Sequence, residues 1–413
     1  MKMIMRYFKQ VYLILVLLLF PAVSATAQAQ ESVLAQMDSV DISLLTCSPG
    51  NEAWSLYGHS AIRLEDHLRH TDYAINYGLF DLSQHFFILR FIFGLTDYQM
   101  GLEDFDSFLA EYSEEGRGVV QQKLNLSRQE KLAIVKAIKA NYEPTERTYR
   151  YNFFYDNCTT RARDIIVKHI NGKVRYHANP TIQSSYRQMV HQWNHHHRWM
   201  SFGCDLLLGV GADRKTNFEQ QQFLPDSLRK DFANATVIES SGQYPLVKET
   251  STVLMQGSQI ESSDIWDTLS PTVVFALLLV LTLVIAVFEY KRHRVLWLYD
   301  SLLLTLSGLA GIILFAMVFS QHPTVRVNLQ ILLLNPLSLV FVWGVSKCAR
   351  RGNFHYYWKI LFTCLILFFL GGLFLQKYAA GMWLLACTLL VRTIINRWLC
   401  SSRTTGNRHS CGI

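Results

Sequence analysis

The sequence predicts an α+β exported domain followed by an all-α bundle of about five transmembrane helices. Three observations carry this expectation. The N-terminus has the build of a secretory signal, residues 40–170 alternate strand and helix patterns, and charge collapses to short loops from Ser270 onward. Half of the 413 residues are hydrophobic and 17% are charged, an average that hides this division.

Lys2, Arg6 and Lys9 precede an apolar run over 11–20. Small residues then end in Ala25-Thr26-Ala27 and Ala29. The apolar centre is short for spanning and the A-x-A exit follows it, so residues 1–29 read as a cleaved signal. An exported domain of 30–250 and a polar linker of 251–269 follow. Apolar spans are expected at 271–288, 296–319, 328–345, 360–376 and 378–395, within a membrane domain of 270–396 that ends in a 397–413 tail.

Lys291, Arg292 and Arg294 follow the first span, Lys347, Arg350, Arg351 and Lys359 the third, and Arg392, Arg397, Arg403 and Arg408 the fifth. The alternate loops hold only Arg326 and Lys377. Basic loops stay inside, so the expected location is a bacterial inner membrane, with the soluble domain in the periplasm and the C-terminus in the cytoplasm. Asp300, near the cytoplasmic end of its span, is expected to reach the interface.

The chain's net charge is +7. With +11 in residues 269–413 and +3 in the signal, the exported domain carries −7. That acidity argues against a phosphate-backbone partner and sets nucleic acid aside. Of eight cysteines only Cys47, Cys158 and Cys204 are exported. Three cannot all pair within one chain, so at least one is a candidate free thiol, and no C-x-x-C pair suggests zinc.

In the exported domain, 40–47 reads as a strand closed by the turn Ser48-Pro49-Gly50, with further strands at 57–64 and 73–77. Residues 102–112 have helical spacing and 119–126 alternates like a strand. Ser127-Arg128-Gln129-Glu130 is a capping box opening a helix to Asn141, with Leu132, Val135 and Ile138 on its buried stripe. An aromatic strand-like run at 148–155 and a helix at 159–170 follow. Segment 190–250 looks less regular.

Chemistry concentrates in Asp156-Asn157-Cys158-Thr159-Thr160-Arg161. Asp156 or Asn157 can cap the following helix, placing Cys158 in its first turn. Unpaired N–H groups and the helix dipole favour an anion there, which lowers a thiol's pKa, and the same groups can hold an oxyanion. Otherwise Cys158 is a small packed cysteine. Gly58-His59 at a strand start offers a base of near-neutral pKa for that thiol. Asn76 on the next strand is placed to orient the imidazole, with Asp72 a rival.

This arrangement resembles a circularly permuted NlpC/P60 (papain-like) site, an order shared with the lecithin:retinol acyltransferases. Gly58-His59-Ser60-Ala61-Ile62-Arg63-Leu64, Asn76-Tyr77-Gly78, Asp156 to Arg161, Phe202-Gly203-Cys204-Asp205-Leu206-Leu207-Leu208-Gly209 and Phe223-Leu224-Pro225 are similar to the DUF4105 family. That family supplies the periplasmic domain of Lnb-type lipoprotein N-acyltransferases. The resemblance covers most of 40–240 and extends to the trailing membrane region. Cys204 departs from it, standing where an aliphatic residue is expected, with Cys47 a candidate partner.

The resemblance implies a nucleophile at Cys158, a base at His59 and an orienting Asn76. Cys158 would take an acyl chain from a phospholipid donor as a thioester and pass it to the N-terminal amine of a diacylglyceryl lipoprotein, without metal, nucleotide or other cofactor. Arg161 is placed to meet a phosphate or a neighbouring carboxylate. Asn157, Tyr57 and Arg326 are further substrate-binding candidates. His322, Asn328 and Asn335-Pro336 either meet a lipid headgroup or bond between helices around a proline kink. The aromatics of 90–112 and 148–155 line an acyl groove or form core, and Leu206 to Leu208 rest on the bilayer or are buried. His195-His196-His197 reads as an interfacial or solvated loop rather than a metal site, because consecutive side chains diverge. Two other readings stand beside the acyltransferase: a cell-wall amidase or endopeptidase, and a non-catalytic membrane sensor or scaffold.

Overall fold

A computed structural model describes residues 31–257 and 269–401, apart from 53, 82, 84, 178–183 and 195. The signal over 1–29, most of the linker, His195 and the tail beyond Ser401 lie outside the described residues.

Strand β1 (Val40–Cys47) is third in a seven-stranded sheet of order β10-β5-β1-β2-β3-β4-β6. It is paired with β5 (Val119–Leu124) and β2 (His59–Asp66). The other strands of the sheet are β3 (Thr71–Leu79), β4 (Asp97–Asp104), β6 (Thr148–Arg150) and β10 (Val247–Leu254). Every pairing is antiparallel. A smaller sheet joins β7 (Lys173–Arg175), β8 (Thr236–Glu239) and β9 (Gly242–Pro245).

β1 is buried along nearly its whole length because both sheet faces are covered. Ile42, Leu44, Ile62, Ile75 and Tyr77 share one core with Ile134, Ala162 and Leu228 of the helices α3 (Arg128–Tyr142), α4 (Cys158–Val167) and α7 (Pro225–Ala233). On the other side Leu45, Cys47, Ala61 and Ala74 pack against Phe105, Phe108 and Tyr112 of α2 (Phe105–Glu114). A six-residue helix α1 (Phe87–Ile92) lies between β3 and β4.

Several elements differ from the sequence expectation. Residues 102–104 end strand β4, and only then does the helical spacing take over. The aromatic run at 148–155 keeps strand geometry only to Arg150, since an Asn152–Asp156 bridge curls the chain into the turn before α4. Segment 190–250 is regular among its described residues, holding most of α5 (Tyr186–Asn194), α6 (Arg198–Leu207), α7 and three strands. Residues 251–254, expected in the linker, form the end of β10 on the edge of the large sheet.

Among the described residues, five helical segments are long and apolar enough to cross a membrane. They are α8 (Pro271–Arg292), α9 (Trp297–Val318), α10 (Leu337–Arg350, entered through a 3-10 turn Leu329–Leu332), α11 (Tyr357–Phe374) and α12 (Met382–Ser401). Their outward faces leave Leu277, Val284, Phe315 and Phe374 exposed, which suits lipid. The interior is not purely apolar. Arg392 bonds Glu289 and Asp300, and Asn396 Nδ2 donates to Asp300 at 2.8 Å. Asp300 is therefore buried against α12 rather than at the interface, and Arg392 is an interior residue rather than a loop charge. An unpaired charge there would be expensive, so three helices, α8, α9 and α12, bring opposite signs together.

The soluble domain docks on one end of this bundle. Asn328 Nδ2 donates to the Leu206 carbonyl at 2.8 Å, Gln330 Nε2 to that of Asp205 at 2.9 Å, and Gln376 Nε2 to that of Leu208 at 3.0 Å. Leu208 is buried, and Leu206 and Leu207 pack against the bundle core, so this leucine run seats the domain on the helices rather than on lipid. Beneath it, buried Arg187 pairs with Asp205 and Asp213, each at 2.8 Å. Arg187 also donates to the Leu208 carbonyl.

Candidate active site

The site begins with how α4 starts. Asn157 is its N-cap: Oδ1 accepts from the Thr160 N–H at 2.9 Å, and Thr160 Oγ1 accepts from the Asn157 N–H at 2.9 Å. Asn157 Nδ2 donates to the carbonyls of Phe153 and Phe223, tying the turn to the loop before α7. Cys158 is thus the first residue of α4, where N–H groups precede the helical ladder. Thr159, fully buried, donates to Ser60 Oγ at 3.2 Å and holds this helix tip against β2.

His59 opens β2, opposite Cys47 in register. Gly58 before it sits at φ +77, and a Cβ there would lie 2.6 Å from the Cys47 carbonyl oxygen. Only glycine makes this turn, so its role is backbone geometry rather than space around the imidazole. The Nε2 of His59 lies 3.0 Å from Asn76 Oδ1. Asn76 Nδ2 in turn donates to Glu103 Oε2 at 3.1 Å. A carboxylate can only accept, so Glu103 fixes which way the Asn76 amide points. Asp72, the rival orienting residue, is taken by Arg63 through two bonds of 2.9 and 2.6 Å.

The thiol and imidazole meet across Gly78 of β3. A Cβ built on Gly78 would stand 3.5 Å from Cys158 Cβ and 3.8 Å from His59 Cε1. Gly78 has φ +138, so a side chain would also be strained. Burial works against ionising Cys158. The charge and hydrogen bond of His59, the Ser60 backbone N–H and the Thr159 hydroxyl outweigh it, bringing the thiol from 9.0 to about 7. Burial likewise opposes charging His59, yet Cys158 and Asn76 hold its pKa above 6.5.

The other exported thiols behave differently. Cys47 is buried between sheet and α2, and burial pushes it up to about 12. Burial also raises Cys204, which lies 3.7 Å from the Tyr57 hydroxyl. Cys47 and Cys204 form no disulfide with each other: one is in the sheet core, the other on α6 against Tyr57.

The remaining candidates are placed as follows. Arg161 stacks on Tyr149 at 3.5 Å and makes two bonds to Asp156, so it meets the neighbouring carboxylate. The polar atoms of Asn157 are used by the cap. Tyr57 packs edge-on to Phe153 and accepts from Asn194 Nδ2 at 3.4 Å. Arg326 is exposed on the loop between α9 and α10, its Nε donating to the Ser320 carbonyl at 2.6 Å. Asn328 bonds the soluble domain, and Asn335 Oδ1 accepts from the Leu337 N–H at the start of α10. His196 and His197 are exposed between α5 and α6. The aromatics divide: Phe105, Phe108 and Tyr112 are core, while Tyr98, Tyr149 and Tyr151 lie near enough to Cys158 to feel its charge.

Glu103, Ser60 and Thr159 were not singled out by the sequence. Glu103 becomes visible only through the β3–β4 register, which sets Asn76 opposite Gly101.

Residues 27–192 match the Lnb N-terminal periplasmic domain, and residues 261–404 match the Lnb transmembrane domain. No curated protein and no solved structure matches the chain. Strands β1 to β7 fall within the first match and the five apolar helices within the second, while α6, α7 and β8 to β10 lie between the two. The chain belongs to the Lnb family, as a membrane protein with a periplasmic N-terminal domain.

Proposed function

We propose that this chain is a thiol acyltransferase that N-acylates lipoproteins, with Cys158 as nucleophile, His59 as base and Asn76 as the residue orienting it. The observation that carries the reading is a low-pKa thiol at a helix tip, hydrogen-bonded to an imidazole whose other nitrogen is held by Asn76. Because Nε2 faces Asn76, Nδ1 is the nitrogen left for the thiol proton.

Cys158 Sγ attacks the ester carbonyl of a phospholipid while His59 holds the thiol proton. The N–H groups of Cys158 and Thr159, not used by the cap, are suited to the oxyanion. As the C–O bond breaks, the imidazolium returns its proton to the leaving alkoxide, giving a lysophospholipid and a Cys158 thioester. The neutral α-amine of a diacylglyceryl-cysteine then attacks the thioester, His59 takes the amine proton, the C–S bond breaks, and an amide and the starting thiol result. Every step balances with the two substrates alone.

Docking on a helical bundle supports this chemistry, because donor and acceptor both reside in a leaflet. The expected orientation is a bacterial inner membrane with the C-terminus in the cytoplasm. The bundle end away from the soluble domain carries Arg292, Lys347 and Arg350, the last stacked on Trp297 at 3.6 Å.

The test is transfer in vitro. Purified protein is mixed with acyl-labelled phospholipid and a synthetic diacylglyceryl-cysteine peptide. Label appearing on the peptide amine, lost in Cys158→Ala, supports the reading. Cleavage of muropeptides with no labelled peptide rejects it in favour of an amidase, and full cellular function of Cys158→Ala rejects catalysis altogether.

A further inference from the structure

The connection between β3 and β4 leaves Phe86, Leu89 and Phe91 exposed by 72, 51 and 43%. Grouped apolar side chains of this size are uncommon on a surface that faces water. Phe86 also sits at φ +59, a left-handed conformation that is strained for a bulky residue.

The position of this segment says what covers it. The Gln321 N–H donates to the Phe93 carbonyl at 2.9 Å, and the Phe91 ring lies 6.3 Å from that of His322. Gln321 and His322 immediately follow the outer end of the membrane span α9, whose last turns expose Phe315 and Phe319 by 50 and 65%. The apolar side chains around α1 are therefore held at the level where α9 leaves the hydrocarbon. Aromatic and apolar residues are favoured at that depth.

Inward, the same connection leads to the thiol. Phe80 stacks on Phe87 at 5.8 Å and on Tyr98 at 4.9 Å, and Tyr98 stacks on Tyr151 at 4.0 Å. Tyr98 and Tyr151 both feel the charge of Cys158, and at Gly78, two residues before Phe80, a Cβ would stand 3.5 Å from Cys158 Cβ and 3.8 Å from His59 Cε1.

We propose that α1 and its flanks insert into the periplasmic leaflet and form the edge over which a phospholipid acyl chain passes to Cys158. The insertion stands on its own observations, whereas the delivery role rests on the acyltransferase reading. A leaflet fits better than a protein partner, because the exposed side chains continue the lipid-facing surface of α9 instead of forming a separate patch.

The test places the photo-crosslinker p-benzoylphenylalanine at Phe86 or Leu89 of the full chain in phosphatidylethanolamine vesicles. A control places it at Leu68, exposed in the turn at the far end of β2 and β3. Phospholipid adducts at 86 and 89 with none at 68 are expected. No lipid adduct, or adducts to protein alone, would overturn insertion. A Phe86→Glu, Leu89→Glu double variant should keep wild-type alkylation of Cys158 by soluble iodoacetamide while acylating from vesicles about tenfold slower or worse. Wild-type acylation by that variant would overturn the delivery role. Lipid adducts with no thioester in the wild-type protein would leave insertion standing and remove the acyltransferase reading.

Discussion

Asn76 Oδ1 lies 3.0 Å from His59 Nε2, and the other end of the same amide donates to Glu103 at 3.1 Å. Three strands contribute to this chain: β2 carries the histidine, β3 the asparagine and β4 the glutamate. The side chains form a relay of orientation, each fixing the rotamer and tautomer of the next. With Nε2 held by Asn76, Nδ1 is the nitrogen left for the thiol on α4 in the proposed mechanism.

The first expectation concerns pH. A thiol lowered from 9.0 to about 7 is half ionised near neutrality, where an ordinary cysteine is almost wholly protonated. Iodoacetamide alkylation of Cys158 should rise with pH to half its maximum near pH 7, located by mass spectrometry of the labelled peptide. In His59→Ala the midpoint should move up towards the ordinary value, because the charge and hydrogen bond that favour thiolate are gone. Cys47 and Cys204, both pushed upward by burial, should stay largely unlabelled across the range.

On the proposed acyltransferase reading, in which His59 is the base, removing it should cost turnover about 10²–10⁴-fold, so His59→Ala is expected to lose transfer nearly completely. Asn76→Ala and Glu103→Ala act one and two bonds further out and should lower turnover by about 10–100-fold with the Cys158 nucleophile in place. The distinguishing readout is the alkylation profile, which both variants should shift upward. A Glu103→Ala protein with an unchanged profile would show that Asn76 holds the imidazole unaided.

Gly78 takes a backbone conformation, φ +138, that a side chain would strain, and a Cβ there would sit in ordinary contact with Cys158 and His59. Gly78→Ala should lose about 1–3 kcal/mol of stability from its backbone conformation alone. It should also lower the Cys158 alkylation rate, since the added methyl meets both reacting side chains. Thermal unfolding and alkylation, measured on one preparation, separate the two effects.

The docking of the soluble domain depends on Arg187, buried between Asp205 and Asp213. Arg187→Ala takes the guanidinium away from buried Asp205 and half-buried Asp213, leaving, among the described residues, Asp205 only His191 Nε2 and Asp213 only the Lys377 N–H. Losing one partner of a buried ion pair typically costs about 3–5 kcal/mol. The expected result is a large fall in melting temperature in detergent and protease access to 205–213. An unchanged melting temperature would mean that the leucine run and the Asn328, Gln330 and Gln376 amides hold the junction alone.

Much of this was legible in the sequence because it is local. The Ser127 box, the apolar spans and a cap at Asp156 or Asn157, which the structure resolves to Asn157, each lie within one element, and side-chain spacing reports them directly. Glu103 was hidden because its partner is set by strand pairing, and because the helical spacing of Phe105, Phe108 and Tyr112 masked the strand before it. Segment 190–250 looked irregular since its helices are short and its main polar feature, Arg187 with Asp205 and Asp213, is a contact across turns. Arg392 and Asp300 were misplaced for a related reason. A charge near the end of an apolar run reads as interfacial until a neighbouring helix is known to supply its partner.

The most direct measurement is the intact mass of the purified protein after incubation with a phospholipid of defined acyl chain and no acceptor. The account predicts one added acyl mass, mapped to Cys158, removed by hydroxylamine and missing in His59→Ala. A protein whose mass stays unchanged, or whose adduct maps to another residue, would contradict it.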